Sequence, residues 1–309
     1  MAQATRAAFG ATLIKLVEEG HDIMAVDADL CGSTTTGAFG KVYPDRLVDV
    51  GIAEQNMIGV ASGLALTGRT VFTGSFAVFG TGRCWEQIRN TVCDSDLDVK
   101  ICPTHAGITV GPDGATHQAL EDIALMRVLP GMRVLVPADY ASACAAIRVA
   151  ATTPGPFYVR MGREPLPAVY DDDFAIESVP FARVLREGSD ISIMACGVEV
   201  AQALAAAETL AGEGIDAEVV DVMSVAPLAE DVLMASAAKC GRVLTVEEHS
   251  VYGGMGSAVA ELLAEKQPVP VTRMGMTTFG QSGTAAELLA YYGLDAPAIA
   301  RRVHEVLRR

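Results

Sequence analysis

Positive charge is scarce in this chain: 23 lysines and arginines face 38 aspartates and glutamates, a formal charge of −15 over 309 residues. Such a field repels a phosphate backbone, and no stretch gathers enough cations to reverse it locally, so nucleic-acid binding is excluded as the main function. A few cations focused in a cleft can still take a small phosphate. The seven cysteines, Cys31, Cys84, Cys93, Cys102, Cys144, Cys196 and Cys240, stand singly with no Cys-x-x-Cys pair. That spacing indicates neither a disulfide framework nor a thiolate metal site and suits a reducing compartment. No apolar run reaches membrane-spanning length and no basic segment precedes an apolar leader; no membrane association and no signal peptide are expected, and the chain reads as soluble and cytoplasmic. Asparagine is rarer still, with Asn56 and Asn90 alone.

What is present is apolar and regular. Half the residues are hydrophobic, enough for two cores in a chain of this length. Residues 23–26, 47–50, 70–73, 99–102, 133–136 and 157–160 are β-rich runs separated by mostly helix-like segments, the rhythm of a mostly parallel sheet covered on both faces. Two prolines and an acidic triplet in residues 164–173 then break both periodicities. The alternation restarts with strands expected at 191–195, 217–222, 242–246 and 269–273, and closes on helices near 284–292 and 296–307. The expected fold is α/β with two doubly wound domains: a mostly parallel first domain over 1–165, a linker over 166–179 and a smaller α/β domain over 180–309.

Three segments concentrate side chains of chemical interest. In Gly51-Ile52-Ala53-Glu54-Gln55, Glu54 follows a strand and opens a helix whose Met57, Ile58, Ala61 and Leu64 share one face. It thus stands at the carboxyl end of a strand, where open α/β sheets place ligands, although a glutamate in a first helical turn is also favoured by the helix dipole alone. In Gly74-Ser75-Phe76-Ala77-Val78-Phe79, two phenylalanines lie just past a strand, a place more often core than ligand site. The third segment, Thr104 to Gln118, puts His105, Asp113 and His117 into one glycine-rich turn region. Metal ligation by the two histidines is disfavoured, since no third and fourth ligand stand at characteristic spacing, and Pro112-Asp113-Gly114 is also a good turn sequence.

In order and spacing these three segments resemble the pyrimidine-binding domain of transketolases, which use thiamine diphosphate, and the similarity extends over essentially all 309 residues. The resemblance implies that Glu54 hydrogen-bonds the N1′ nitrogen of the cofactor's aminopyrimidine, favouring the tautomer that accepts the thiazolium proton. It implies that Phe79 stacks on that ring, with Phe76 beside it and Asp29 close by. Aromatic stacking of this kind contributes roughly 0.5–1.5 kcal/mol beyond area burial. His105 matches the histidine that contacts the substrate phosphate, Asp113 the carboxylate that reads a hydroxyl, and His117 the histidine near the reacting oxygen, suited to proton exchange near neutrality. Ser33 and Arg163 match the remaining phosphate contacts, and arginine's planar fork fits phosphate oxygens. One position departs: many transketolases carry a tyrosine shortly after the stacking phenylalanine, where this chain has Gly82, leaving Trp85 or a partner side chain to fill the space.

An absence completes the reading. Diphosphate anchoring in this cofactor class resembles a Gly-Asp-Gly element followed about two dozen residues later by an asparagine, a set that holds a hard divalent cation through oxygen. Neither Asn56 nor Asn90 is placed for it. The chain therefore resembles the C-terminal half of a transketolase split into two subunits, expected in an α2β2 heterotetramer with an N-terminal subunit that binds the diphosphate and its Mg or Ca ion. The segment from Val246 to Ser257 resembles a structural and subunit-contact element of such enzymes, and its Gly-x-Gly is a weak nucleotide signature. The implied activity is transfer of a two-carbon ketol unit between sugar phosphates. Alternatives are the β subunit of a 2-oxoacid dehydrogenase first component, a deoxyxylulose-phosphate-synthase-like enzyme, or a stabilising subunit without chemistry of its own; the retained Glu54 counts against the last.

Overall fold

The computed structural model describes residues 2–308. Its larger sheet has seven strands in the order Ser224–Ala226, Arg133–Leu135, Phe157–Val159, Val99–Ile101, Thr70–Gly74, Ile23–Asp27, Leu47–Asp49. All pairings are parallel except that of Ser224–Ala226, which joins the edge antiparallel. The run Ile23–Asp27 is buried along its whole length, as a parallel strand paired on both sides and covered by helices on both faces must be. From it the chain moves outward to Leu47–Asp49, then returns through the helix Glu54–Ala65 to Thr70–Gly74 on the other side. That reversal opens a crevice beyond the carboxyl ends of Ile23–Asp27 and Thr70–Gly74, the ligand position of open α/β sheets.

The second sheet runs Val271–Met276, Val243–Ser250, Ile191–Ala195, Ala217–Asp221, Arg183–Arg186, parallel but for its last strand. The strand expected at 242–246 continues to Ser250, through Glu247, Glu248 and His249, all buried. Two features tie the halves together. Ser224–Ala226 pairs with Arg133–Leu135 of the first sheet, and one apolar cluster contains Met24, Val99 and Tyr158 together with Met194, Leu233 and Val259. A short antiparallel pair, Gln3–Ala4 with Pro165–Leu166, brings the start of the chain beside the segment that follows the last parallel strand. Among the described residues no helix is long and apolar enough to cross a membrane.

Candidate active site

The aromatic centre of the crevice follows from strand pairing. Beyond Thr70–Gly74 and Val99–Ile101 the two chains stay side by side: Thr104 donates its N–H to Ser75 O at 2.9 Å, and Ala77 donates to Thr104 O at 2.8 Å. This parallel continuation sets Phe76 against His105, with ring centroids 3.9 Å apart and the rings stacked at an interplanar angle of 24°. Phe79, one turn on, lies 6.1 Å from Phe76, and His117 presents an edge-on contact to both, at 6.1 Å from Phe76 and 5.3 Å from Phe79. Four of the residues expected from the sequence thus share one cluster. Phe76 is buried, whereas Phe79 and His117 are half-buried and reach the crevice surface.

Glu54 is the first residue of its helix and is 5 % exposed. One carboxylate oxygen accepts from Arg83 Nη1 at 2.9 Å, and the same guanidinium lies 4.3 Å from the centroid of the Phe79 ring. Arg83 thereby links the buried acid to the aromatic face. It also answers the question raised by Gly82: Arg83 stands over Phe79, while Trp85 is engaged elsewhere, its indole N–H donating to Leu125 O at 2.8 Å.

On the other side of the cluster is a cationic corner. Arg163 donates to Val110 O at 2.8 Å and lies 3.8 Å from a carboxylate oxygen of Asp113 and 3.8 Å from one of Glu164. Arg6, which no sequence motif signals, donates to Ser33 O at 3.0 Å. Its backbone N–H reaches Gly162 O at 3.3 Å, so Arg6 and Arg163 converge through the pairing of chain start and linker. Burial, then the charges of Arg6 and Arg163, then His117, push the His105 imidazole down to about 3. His105 is therefore neutral at physiological pH, with Nδ1 2.7 Å from Thr104 Oγ1. It also adopts φ +62°, a left-handed conformation that costs a non-glycine residue energy and persists where the surroundings dictate it. The arrangement offers two guanidinium groups and a neutral imidazole N–H to an anion.

Asp29 is not drawn into this cluster: it is exposed, and its backbone N–H donates to Asp49 Oδ1 at 3.0 Å. Near it Asp27, Cys31 and Asp49 bring ligand-type atoms within 4.8 Å of one another. The Asp27 carboxylate, however, already accepts from Thr34, Thr36 and the Leu30 N–H, and burial pushes the Cys31 thiol up to about 12. These contacts shape the loop that presents Ser33. The Gly-x-Gly segment is likewise committed: at the start of the helix Met255–Lys266, the N–H groups of Met255 and Gly256 donate to the Glu247 carboxylate at 2.7 and 2.8 Å. A phosphate cannot take a helix start already capped by a buried carboxylate.

A doubly wound sheet carrying an acid at a helix start, an aromatic and imidazole cluster and a cationic corner at its crevice defines a ligand site of the open α/β class. The chain belongs to the transketolase family: residues 1–168 match the transketolase pyrimidine binding domain and residues 181–299 the transketolase C-terminal domain. It is similar to a protein assigned as the transketolase C-terminal section of Methanocaldococcus jannaschii, at 46 % identity over 98 % of this chain and 96 % of that one. It is 42 % identical to the 6-deoxy-6-sulfo-D-fructose transketolase subunit of a Clostridium species, over 96 % of this chain and 92 % of the relative. Among solved structures, a split gene transketolase determined as an inactive beta4 tetramer superposes with a TM-score of 0.91 at 46 % identity, covering 100 % of this chain and 99 % of the other. The chain is thus a transketolase subunit of the split, C-terminal kind.

Proposed function

We propose that this chain supplies the pyrimidine side and the sugar-phosphate side of a site that transfers a two-carbon ketol unit from a ketose phosphate to an aldose acceptor. The observation that carries the reading is the single cluster of Phe76, Phe79, His105 and His117, with Glu54 and Arg83 on one flank and Arg6, Arg163 and Asp113 on the other. The residues fit thiamine diphosphate: a buried carboxylate at a helix start would bond the aminopyrimidine, and the half-buried Phe79 ring beside it would pack on its face. When bound, the cofactor supplies the electron sink needed to break the bond next to the ketose carbonyl.

The chain's own residues bind and orient. Arg163 and Arg6 would hold a phosphate by charge-assisted hydrogen bonds, with neutral His105 as a third donor. Asp113, already paired loosely with Arg163, accepts from a substrate hydroxyl. His117 stands edge-on to Phe79, where an imidazole can pass a proton to or from a substrate oxygen. Arg83 covers one face of Phe79, so cofactor packing on that face requires its guanidinium to move, which its half-exposed side chain permits.

The same proposal places the diphosphate and its Mg or Ca ion on a separate N-terminal subunit, in an α2β2 heterotetramer. The inactive beta4 assembly of a split relative solved without such a partner supports this. Cytoplasmic residence belongs to the proposal too, and seven free thiols support it. The test is reconstitution with a diphosphate-binding subunit, thiamine diphosphate and Mg, followed by a screen of ketose phosphates against aldose acceptors. Ketol transfer only in the reconstituted mixture is expected. Robust transfer by the isolated chain, or acyl transfer to a lipoyl domain in its place, would overturn the reading.

A further inference from the structure

The loop bearing His105, Asp113 and His117 belongs to the first half of the chain, but it is gripped from the second. The Glu248 carboxylate, in the strand Val243–Ser250, accepts from both the N–H and the hydroxyl of Thr109, at 3.1 and 2.9 Å. It packs directly on Gly107, where a Cβ would lie 2.1 Å from the Glu248 carboxyl carbon and where φ is +81°. Any other residue at 107 would meet both a clash and a strained backbone.

Glu248 is itself fixed. Its second oxygen faces Arg160 Nη1 at 3.6 Å. Arg160 is held by Asp122, Nε to Oδ2 at 2.7 Å, and donates to the carbonyls of Ala119 and Glu248 at 3.2 and 3.1 Å. Tyr158 adds a hydrogen bond to Asp122 at 2.5 Å, and all four side chains are buried. One residue beyond Thr109, the carbonyl of Val110 accepts from Arg163 at 2.8 Å, and Arg163 in turn faces Asp113. The path from the Glu248 carboxylate to the cationic corner therefore runs through two residues of backbone.

We infer that Glu248 is a positioning residue: by holding Thr109 it fixes the Val110 carbonyl that orients Arg163, so the second half of the chain sets phosphate recognition in the first. The functional part of this inference rests on the sugar-phosphate site proposed above; the anchoring of the loop rests on the contacts alone.

The experiment uses the complete two-subunit enzyme carrying Glu248→Ala, Glu248→Gln or Thr109→Val, with two readouts. Amide hydrogen exchange by mass spectrometry reports on residues 105–117, and steady-state kinetics compares xylulose 5-phosphate with unphosphorylated hydroxypyruvate as donor. Glu248→Ala is expected to speed exchange across 107–110 and to raise KM for the phosphorylated donor about tenfold, while kcat with hydroxypyruvate stays within about twofold. Glu248→Gln keeps the acceptor toward Thr109 and leaves Arg160 paired with Asp122, so it should retain most of the parental KM. If Glu248→Ala does not fold, Thr109→Val carries the test, with a smaller loss confined to the phosphorylated donor. Equal losses on both donors, unchanged loop exchange, or a glutamine variant as impaired as the alanine one would overturn the inference. An unmutated enzyme without ketol transfer would instead refute the proposed function, and the exchange readout would still decide whether Glu248 anchors the loop.

Discussion

Replacing Arg163 with alanine should separate phosphate recognition from every other part of catalysis. Arg163 gives one N–H to Val110 O at 2.8 Å and has acidic oxygens of Asp113 and Glu164 only at 3.8 Å, so much of its donor fork is available to a ligand. A charge-assisted hydrogen bond contributes about 1.5–3 kcal/mol, which corresponds to a rise in KM of roughly 10–150-fold. The side chain is 31 % exposed, and solvent screening places the effect toward the lower end of that span. Arg163→Lys keeps the charge but loses the planar fork, and should fall between parent and alanine. The assay is steady-state kinetics of the reconstituted enzyme with phosphorylated and unphosphorylated donors, repeated for Arg6→Ala. A second readout is independent of turnover. Because the Arg163 charge helps hold the His105 imidazole down, the alanine variant should let the His105 pKa rise, visible in the histidine ring signals by NMR. Equal losses on both donor classes, or a His105 titration unmoved by removal of Arg163, would refute the cationic corner as a phosphate site.

Glu54→Gln should slow hydrogen–deuterium exchange at the thiazolium carbon of the bound cofactor by about 10²–10⁴-fold with sugar binding little changed; exchange at the parental rate, followed by proton NMR, would leave Glu54 a helix-start residue only. The isolated chain should bind thiamine diphosphate weakly and show no ketol transfer; calorimetric titration with tight binding in the absence of a partner would contradict the split site. Acid should destabilise the fold partly through His105. Its folded pKa lies below the ordinary 6.5, at about 3, so the unfolded chain takes the proton first; the stability contributed by neutral His105 is whole above about 6.5 and is lost as pH falls toward 3. His105→Gln should therefore flatten the Tm profile across that window, and a slope equal to the parent's would remove His105 as a source.

Much of the architecture is legible because parallel strands buried on both faces read as continuous apolar runs, as at Ile23–Asp27 and Ile191–Ala195. What escapes sequence reading is either polar or non-local. The strand Val243–Ser250 runs on through two glutamates and a histidine, polar residues that break the apolar run, and the partners that make the burial of Glu248 tolerable, Arg160 and Thr109, are far away in the chain. The edge strands Arg183–Arg186 and Ser224–Ala226 are short and gain their identity from pairing. In the site, Phe79, His105, Asp113, His117 and Arg163 fall within recognisable segments. Arg6 does not, since an arginine before an amphipathic helix looks like any surface charge until the pairing of Gln3–Ala4 with Pro165–Leu166 carries it to Gly162. Arg83 lies where the family pattern is broken, beside Gly82, and its place over Phe79 comes from geometry alone.

The antiparallel strand Ser224–Ala226 has a consequence for anyone who would recombine halves between relatives. A cut in the proline-containing linker looks natural, yet it would strip the first sheet of its outermost strand and leave Arg133–Leu135 as a bare edge. Bare edges recruit other chains, and a fragment ending near 168 is a candidate for aggregation rather than a free-standing module. The heritable unit in shuffling experiments is therefore not the linear half. A chimera that imports a foreign first half must import residues 224–226 with it, or choose a donor whose own returning strand fits the same three-residue seam.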